Sequence, residues 1–182
     1  MKKEILCALM VAIASGKLFA HQDQRQEIIK SFITSLQLPY LSQEQVGHIA
    51  QSIVRYAKEA SIDPFLVTAL IYRESTFNPN AVSATGAQGL GQIKSMNFPD
   101  LEITDAFDIA QNAKGTAQYL KKMLLLWNNH PKQVEYALAS YFKGHNGFKR
   151  DGCVMDQKTA NYVNNIVDKY QEVRGFKSVT NS

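Results

Sequence analysis

Ile71-Tyr72-Arg73-Glu74-Ser75-Thr76-Phe77-Asn78-Pro79, followed by Gly86-Ala87-Gln88-Gly89-Leu90-Gly91-Gln92, is the stretch around which the rest of the chain is read. Just upstream, Asp63-Pro64 marks a helix start, with an acid in the N-cap place and a proline in the first helical position. The helix is expected to run from Phe65 to about Thr76. Asn78-Pro79 stops it, because a residue before proline is pushed out of the helical region. Val67, Leu70, Ile71 and Glu74 then fall on one stripe, at i, i+3, i+4 and i+7, and Phe77 extends it. The pattern therefore directs a carboxyl group toward the apolar side. Burial disfavours its ionised form, and so does the nearby C-terminal end of the helix. A glutamic acid kept protonated near neutral pH can give its proton to a leaving oxygen. The same pattern fits a structural ion pair between Glu74 and a lysine or arginine of another helix. Arg73 projects about 100° away around the helix.

The glycine turn has no lysine in the P-loop place and no strand pattern before it, so it is not read as a phosphate loop. Its glycines let backbone groups approach a ligand closely. Residues 80–104 read as loop and turn, with room for a short β-hairpin whose strands the sequence does not place.

Outward from this centre the chain reads as helices. Ile28, Ile29, Phe32, Ile33 and Leu36 mark one, within residues 21–36. Ser42 with Gln45 is a capping box for the next, lined inward by Val46, Ile49, Ala50, Ile53 and Ala57. Asp105 or Asp108 caps a long helix to about Trp127, with Phe107, Ala110, Ala113, Ala117, Leu120 and Leu124 inward. Gly115 within it implies close packing against another helix. Val134, Ala137, Leu138 and Tyr141 line a further helix, Gly144-His145-Asn146-Gly147 is a turn, and a last helix runs from about Lys158 to Val173. The expected fold is all-α, with β structure at most through a small hairpin in the 80–104 region. Residues 21–44 form an N-terminal helical extension, 45–175 the main domain and 176–182 a tail.

The first twenty residues read as a secretory signal: Lys2 and Lys3, an apolar run of about ten residues from Ile5 to Ala14, and Leu18-Phe19-Ala20 before His21. The run is too short to span a bilayer. Export to the periplasm is expected, with no integral membrane segment after the signal is removed. The chain has 182 residues and a formal charge of +4. Residues 1–20 hold three lysines and one glutamate, so 17 basic and 15 acidic residues remain. That small excess suits an anionic polymer such as a cell wall, and no nucleic acid partner is expected. Cys7 lies in the signal. Cys153 is then the lone cysteine, so no disulfide within the chain is possible. His21, His48, His130 and His145 are scattered without ligand spacing, and neither metal nor cofactor is expected.

Glu74-Ser75, Phe77-Asn78-Pro79, Ala81, Ser83, Gly86-Ala87, Gly89-Leu90 and Gln92-Ile93 together resemble the signature of soluble lytic transglycosylases, which cleave peptidoglycan on a lysozyme-like fold. Gly115, Tyr119 and Leu120 resemble the family's Gly-x-x-Tyr-Leu helix. Ala137 to Tyr141 resembles the helix end that brings a tyrosine to the acid, and Thr159-x-x-Tyr162-Val163-x-x-Ile166 its closing helix. The resemblance covers about residues 47–170. It implies that Glu74 is the single catalytic acid and that Ser75 supports the end of its helix. It implies that Ser83 lies near a substrate acetamido group, and that Gln92 and Tyr141 position the sugar and the acid. Gly89, Leu90 and Phe142 fall in the same substrate-binding set.

The sequence departs from the family pattern at four places. Gly91 replaces a usual methionine, which removes a wall of the groove. Phe142 replaces an asparagine, Lys143 a small residue, and Gln111 an asparagine four residues before Gly115. The implied partners are peptidoglycan glycan strands and, at family level, a secretion, conjugation or pilus apparatus of the cell envelope. Two alternatives stay open. A hydrolytic muramidase would need a second carboxylate, for which Asp100, Glu102, Asp105 and Asp108 are candidates. A non-catalytic peptidoglycan-binding envelope subunit would fit the departures at Gly91 and Phe142.

Overall fold

The helix that carries Glu74 is the centre of the molecule. In the computed structural model, which describes residues 24–176, it runs from Pro64 to Ser75, and every residue from Pro64 to Ile71 is buried. A helix apolar on all sides is a core helix, not an amphipathic surface one, so the stripe read from the sequence is one part of a fully wrapped cylinder. Asp63 caps it by accepting a hydrogen bond from the Phe65 amide at 3.0 Å. The Tyr170 hydroxyl donates to the second Asp63 oxygen at 3.0 Å and ties the last helix to the start of the central one.

In chain order the helices are α1 (residues 24–35), α2 (Gln43–Glu59), α3 (Pro64–Ser75), α4 (Ile109–Leu126), α5 (Gln133–Lys143), α6 (His145–Arg150) and α7 (Gln157–Gly175). α3 packs between α2, α4 and α7, while α4 also packs on α2 and α5. The Ser42 and Gln45 capping box is formed in both directions. α1 buries Ile29, Phe32 and Ile33, and the Phe32 ring meets Tyr72, Phe77 and Phe176 edge-on. The stretch between α3 and α4 holds a two-stranded antiparallel ribbon, β1 (Ala87–Gln88) with β2 (Ile93–Lys94). Ala87 faces Lys94, and Gln88 faces Ile93.

Several expectations are corrected. Gly144 to Gly147 is not a simple turn. α6 begins at His145 and buries Phe148 against Trp127 and Tyr136. Gly144 just before that short helix and Gly147 within it hide it from a pattern reading. Phe107 and Val134 are exposed, because both sit at the entry to a helix and not along its buried face. Asp108 is the cap of α4, accepting from the Gln111 amide, while Asp105 accepts from the Phe107 amide. Gly115 meets Ile103 of the preceding loop and, less closely, Leu101 at the end of a short 3-10 helix (Pro99–Leu101), not a long helix: a β-carbon there would stand 2.6 Å from the Ile103 side chain. Phe176, the first residue of the expected tail, packs edge-on against Phe32. The signal at 1–20 and the tail beyond 176 lie outside the described residues.

Candidate active site

Glu74 stands in the last turn of α3, at the wall of an open cleft of about 1000 Å³. The chain leaves the helix through two consecutive left-handed residues, Thr76 (φ 52°) and Phe77 (φ 63°). A β-branched residue in that conformation is strained, and such strain persists only where its surroundings hold it. Here the Phe77 ring is fully buried, and the Tyr40 hydroxyl donates to the Thr76 carbonyl at 2.7 Å.

The polar partner of Glu74 comes from α7. The Tyr162 hydroxyl donates to Glu74 Oε1 in a short hydrogen bond, and Tyr162 is almost wholly buried. Burial pushes the Glu74 pKa up from 4.5 to about 7, and the Tyr162 hydrogen bond and the Arg73 charge pull against it. Burial raises the Tyr162 pKa well above its usual value, as does the Glu74 charge beside it, so Tyr162 remains a donor. No salt bridge neutralises Glu74 among the described residues, which removes the ion-pair alternative left open by the sequence. Arg73 turns instead to the Tyr162 ring, its guanidinium 5.1 Å from the centroid.

The glycine loop opposite is fixed by side chains from three helices. From α3, the Ser75 hydroxyl donates to the Leu90 carbonyl at 2.7 Å. From α4, the buried Asn112 accepts from the Gly91 amide at 2.8 Å and donates to the carbonyls of Ala106 (2.8 Å) and Gln88 (3.1 Å). From α5, the Tyr141 hydroxyl donates to the Gly91 carbonyl at 2.8 Å. Gln92 closes the loop on itself, donating to the Gly89 and Ala81 carbonyls. The buried ones among these backbone groups, the Gly91 amide and carbonyl and the Ala106 carbonyl, would each cost about 1–3 kcal/mol if left unpaired. Gly89 has φ +74°, and a β-carbon there would lie 2.1 Å from the Ala106 carbonyl. Only glycine fits both demands.

The residues expected at the site divide into two groups. Ser83, Gln92, Tyr141 and Phe142 line the cleft together with Glu74. Ser75, Gly89 and Leu90 lie behind its wall: Leu90 is fully buried, and the Ser75 hydroxyl is spent on the loop. Ser83 accepts from the Ala87 amide and shapes the turn before β1. Tyr141 reaches the loop and does not bond the acid; that hydrogen bond belongs to Tyr162. The signal for Tyr162 was present, since Thr159-x-x-Tyr162 matched the closing helix, but the residue read equally well as a core aromatic.

The α4 resemblance also shifts by one residue. A Gly-x-x-Tyr-Leu spacing ending at Tyr119-Leu120 begins at Thr116, not Gly115, and an asparagine four residues earlier is then Asn112, not Gln111. Gln111 is instead a loop anchor, accepting from the amides of Thr104 and Asp105. In this register Gly91 and Thr116 are an exchanged pair. A β-carbon at Gly91 would lie 1.9 Å from Thr116 Oγ1. The missing methionine opens no gap in the groove, because Thr116, fully buried, occupies the space.

None of the four candidate second carboxylates lines the cleft. Asp100 pairs with Lys122 at 3.5 Å and Glu102 with Lys114 at 2.5 Å, while Asp105 accepts from the Phe107 amide in a local turn and Asp108 caps α4. Asp156 does line it. Its oxygens are taken by the Thr159 amide and Lys143, and those bonds hold its carboxyl well below the usual range. Lys94, Lys122, Lys143 and Lys158 line the same cleft. No group of three or more potential metal ligands occurs among the described residues.

A helical body wrapped on one core helix, with an acid at the end of that helix facing an open cleft, defines a lysozyme-like domain. The chain belongs to the family described as the transglycosylase SLT domain, whose model matches residues 51–164. It is 35% identical over 102 residues to the membrane-bound lytic murein transglycosylase F of Desulfosudis oleivorans, covering 54% of this chain and 22% of that protein. Over 94 residues it is 35% identical to the protein of the same name from Pectobacterium atrosepticum, covering 50% of this chain and 19% of that one. The chain spans about a fifth of the length of these curated relatives. The X-ray structure of an inactive mutant of lytic transglycosylase Slt from Pseudomonas aeruginosa matches with a TM-score of 0.56 at 20% identity, over 71% of this chain and 25% of that one. That likeness is one of fold.

Proposed function

We propose that the chain is a lytic transglycosylase that cleaves the β-1,4 bond between N-acetylmuramic acid and N-acetylglucosamine in peptidoglycan, with Glu74 as its single catalytic carboxyl. The observation that carries the reading is a glutamic acid held near neutral pKa by burial, facing a cleft whose other carboxylate is tied up as a helix cap. Glu74 gives its proton to the bridging oxygen as the bond to the muramic C1 breaks. The substrate's own acetamido oxygen shares the positive charge at C1. Glu74, now ionised, takes the proton from the muramic 6-hydroxyl, whose oxygen closes on C1 as a 1,6-anhydro ring. One proton is given and one is recovered, and no water is consumed. Tyr162, holding the carboxyl by one oxygen, steadies it through both halves of the cycle. Ser83 and Gln92 on the cleft wall are the sugar-positioning residues of this reading. Of the cleft lysines, Lys122 and Lys143 are paired with Asp100, Asp151 and Asp156, and Lys94 and Lys158 suit the carboxylates of the polymer's peptides.

Mass analysis of fragments released from purified cell wall tests it. Anhydro-muropeptides are expected. Reducing ends would favour a muramidase, and binding without release would favour a non-catalytic subunit. The pH profile gives a second test. The protonated acid is the active form, so kcat/KM is expected to hold up to about pH 7 and then to fall about tenfold per unit. A profile flat to pH 9 would mean that another group supplies the proton. The N-terminal pattern of residues 1–20 supports export to the periplasm. Family membership supports work at the cell envelope, where local opening of the wall for a secretion, conjugation or pilus apparatus is the fitting role. Among the described residues no helix is long and apolar enough to cross a membrane.

A further inference from the structure

Phe142 stands where the resembled family carries asparagine, and its ring has a specific place. It stacks on Tyr162, with centroids 4.4 Å apart and planes within 18°. Tyr162 is the residue that donates to Glu74. The Lys158 ammonium lies over the Phe142 ring at 5.6 Å, and the Arg73 guanidinium over the Tyr162 ring at 5.1 Å. The neighbouring departure acts in the same direction. Lys143 pairs with both Asp151 and Asp156, the second of which caps α7, so the end of α5 is bound to the start of the helix carrying Tyr162.

We propose that Phe142 is a positioning residue that acts on Glu74 through Tyr162, its stacked ring holding the tyrosine hydroxyl on the acid and keeping water from that hydrogen bond. The inference rests on the reading of Glu74 as the catalytic acid. An asparagine here would offer a polar contact toward the cleft; the phenyl ring gives that up for a rigid platform beneath the acid's partner. Aromatic pairs in such geometry contribute about 0.5–1.5 kcal/mol beyond their buried area, enough to hold one rotamer. The charged and titratable groups that act on or sense Glu74 are Arg73 from α3, Tyr141 from α5 and Tyr162 from α7. Loss of the ring has two opposed effects on the acid. Water entering the site favours the carboxylate, and a loosened Tyr162 disfavours it. Burial is the larger influence on this group, so the net movement is toward ionisation at lower pH.

The test is a carbon-13 NMR titration of the Glu74 carboxyl in the whole chain, beside kinetics on a soluble glycan fragment. Phe142→Asn is expected to move the midpoint down by about one pH unit and to lower kcat about tenfold, with KM little changed. Phe142→Tyr, which keeps a stacked ring, keeps the midpoint of the wild type. If Phe142→Asn does not fold, Phe142→Leu, which keeps apolar volume without a flat ring, is expected to shift the midpoint the same way by about half as much. An unmoved midpoint, or a change confined to KM, overturns the inference. An active Glu74→Gln would instead overturn the reading of the acid. With Glu74→Gln inactive and the midpoint unmoved, only the role of Phe142 fails.

Discussion

Glu74→Gln is expected to lower product release from cell wall by at least about a thousandfold, the upper range for removing one general acid–base group. Gln cannot give a proton to the bridging oxygen or take one from the 6-hydroxyl, so both halves of the cycle are lost together. It does retain an oxygen that can accept from Tyr162 and nearly the same volume. The fold should therefore survive, and the direction of its stability change is fixed by linkage. In the folded chain the Glu74 pKa is raised from 4.5 to about 7. The folded state thus binds the proton more tightly, and the stability this group contributes is complete below pH 4.5 and lost as pH rises through 7. Glu74→Gln has no such loss. The two proteins should melt alike near pH 4.5, and the variant should gain up to about 3 kcal/mol over wild type by pH 8. That corresponds to about 2–4 °C in Tm per kcal/mol for a chain of this size. Thermal melts across that range check the sign. A variant less stable than wild type at pH 8 would mean that the carboxylate is supported in the fold, not merely tolerated.

The second large effect concerns the pair behind the cleft. Gly91→Met should cost about 3 kcal/mol, the upper end of the usual overpacking range, because a side chain there is driven into Thr116, whose Oγ1 occupies the β-carbon's space at 1.9 Å. Thr116 cannot yield cheaply. It is fully buried, and its hydroxyl donates to the Asn112 carbonyl at 2.8 Å. The damage would spread to the loop, since the Gly91 amide and carbonyl are held by Asn112 and Tyr141. Thr116→Gly alone also costs stability, about 1 kcal/mol from helix propensity and more from the empty space. Together the two changes should recover most of the loss, with a coupling energy of about 2 kcal/mol or more in a denaturant-unfolding cycle. Additive losses would show that Thr116 does not fill the methionine's place.

What could be read before any coordinates were known follows from which interactions are local. The Asp63 and Ser42 caps, the end of α3 near Asn78-Pro79 and the inward turn of Glu74 are set by neighbours within a few residues, and each was found where the spacing put it. The stripe did not reveal that α3 is buried on every side from Pro64 to Ile71, because a helix apolar all round shows little periodicity. The Tyr162–Glu74 bond joins residues 88 apart in sequence, and no local pattern encodes such a contact. Tyr141 and Tyr162 were alike as buried aromatics on helical faces, so only their placement could decide which touches the acid. Asn112 was missed because Gly115, a conspicuous helix glycine, set the register one residue too early. Glycine was informative where the backbone demanded it, at Gly89, and misleading where packing alone was at issue.

Digestion of purified cell wall in water enriched in oxygen-18 tests the one-carboxyl account most directly. If Glu74 alone moves the proton and the 6-hydroxyl is the nucleophile, the released muramyl ends carry no heavy oxygen, and each is lighter by one water than its hydrolytic counterpart. Oxygen-18 at those ends, as a reducing hydroxyl, would mean that water attacks C1, and it would contradict the account.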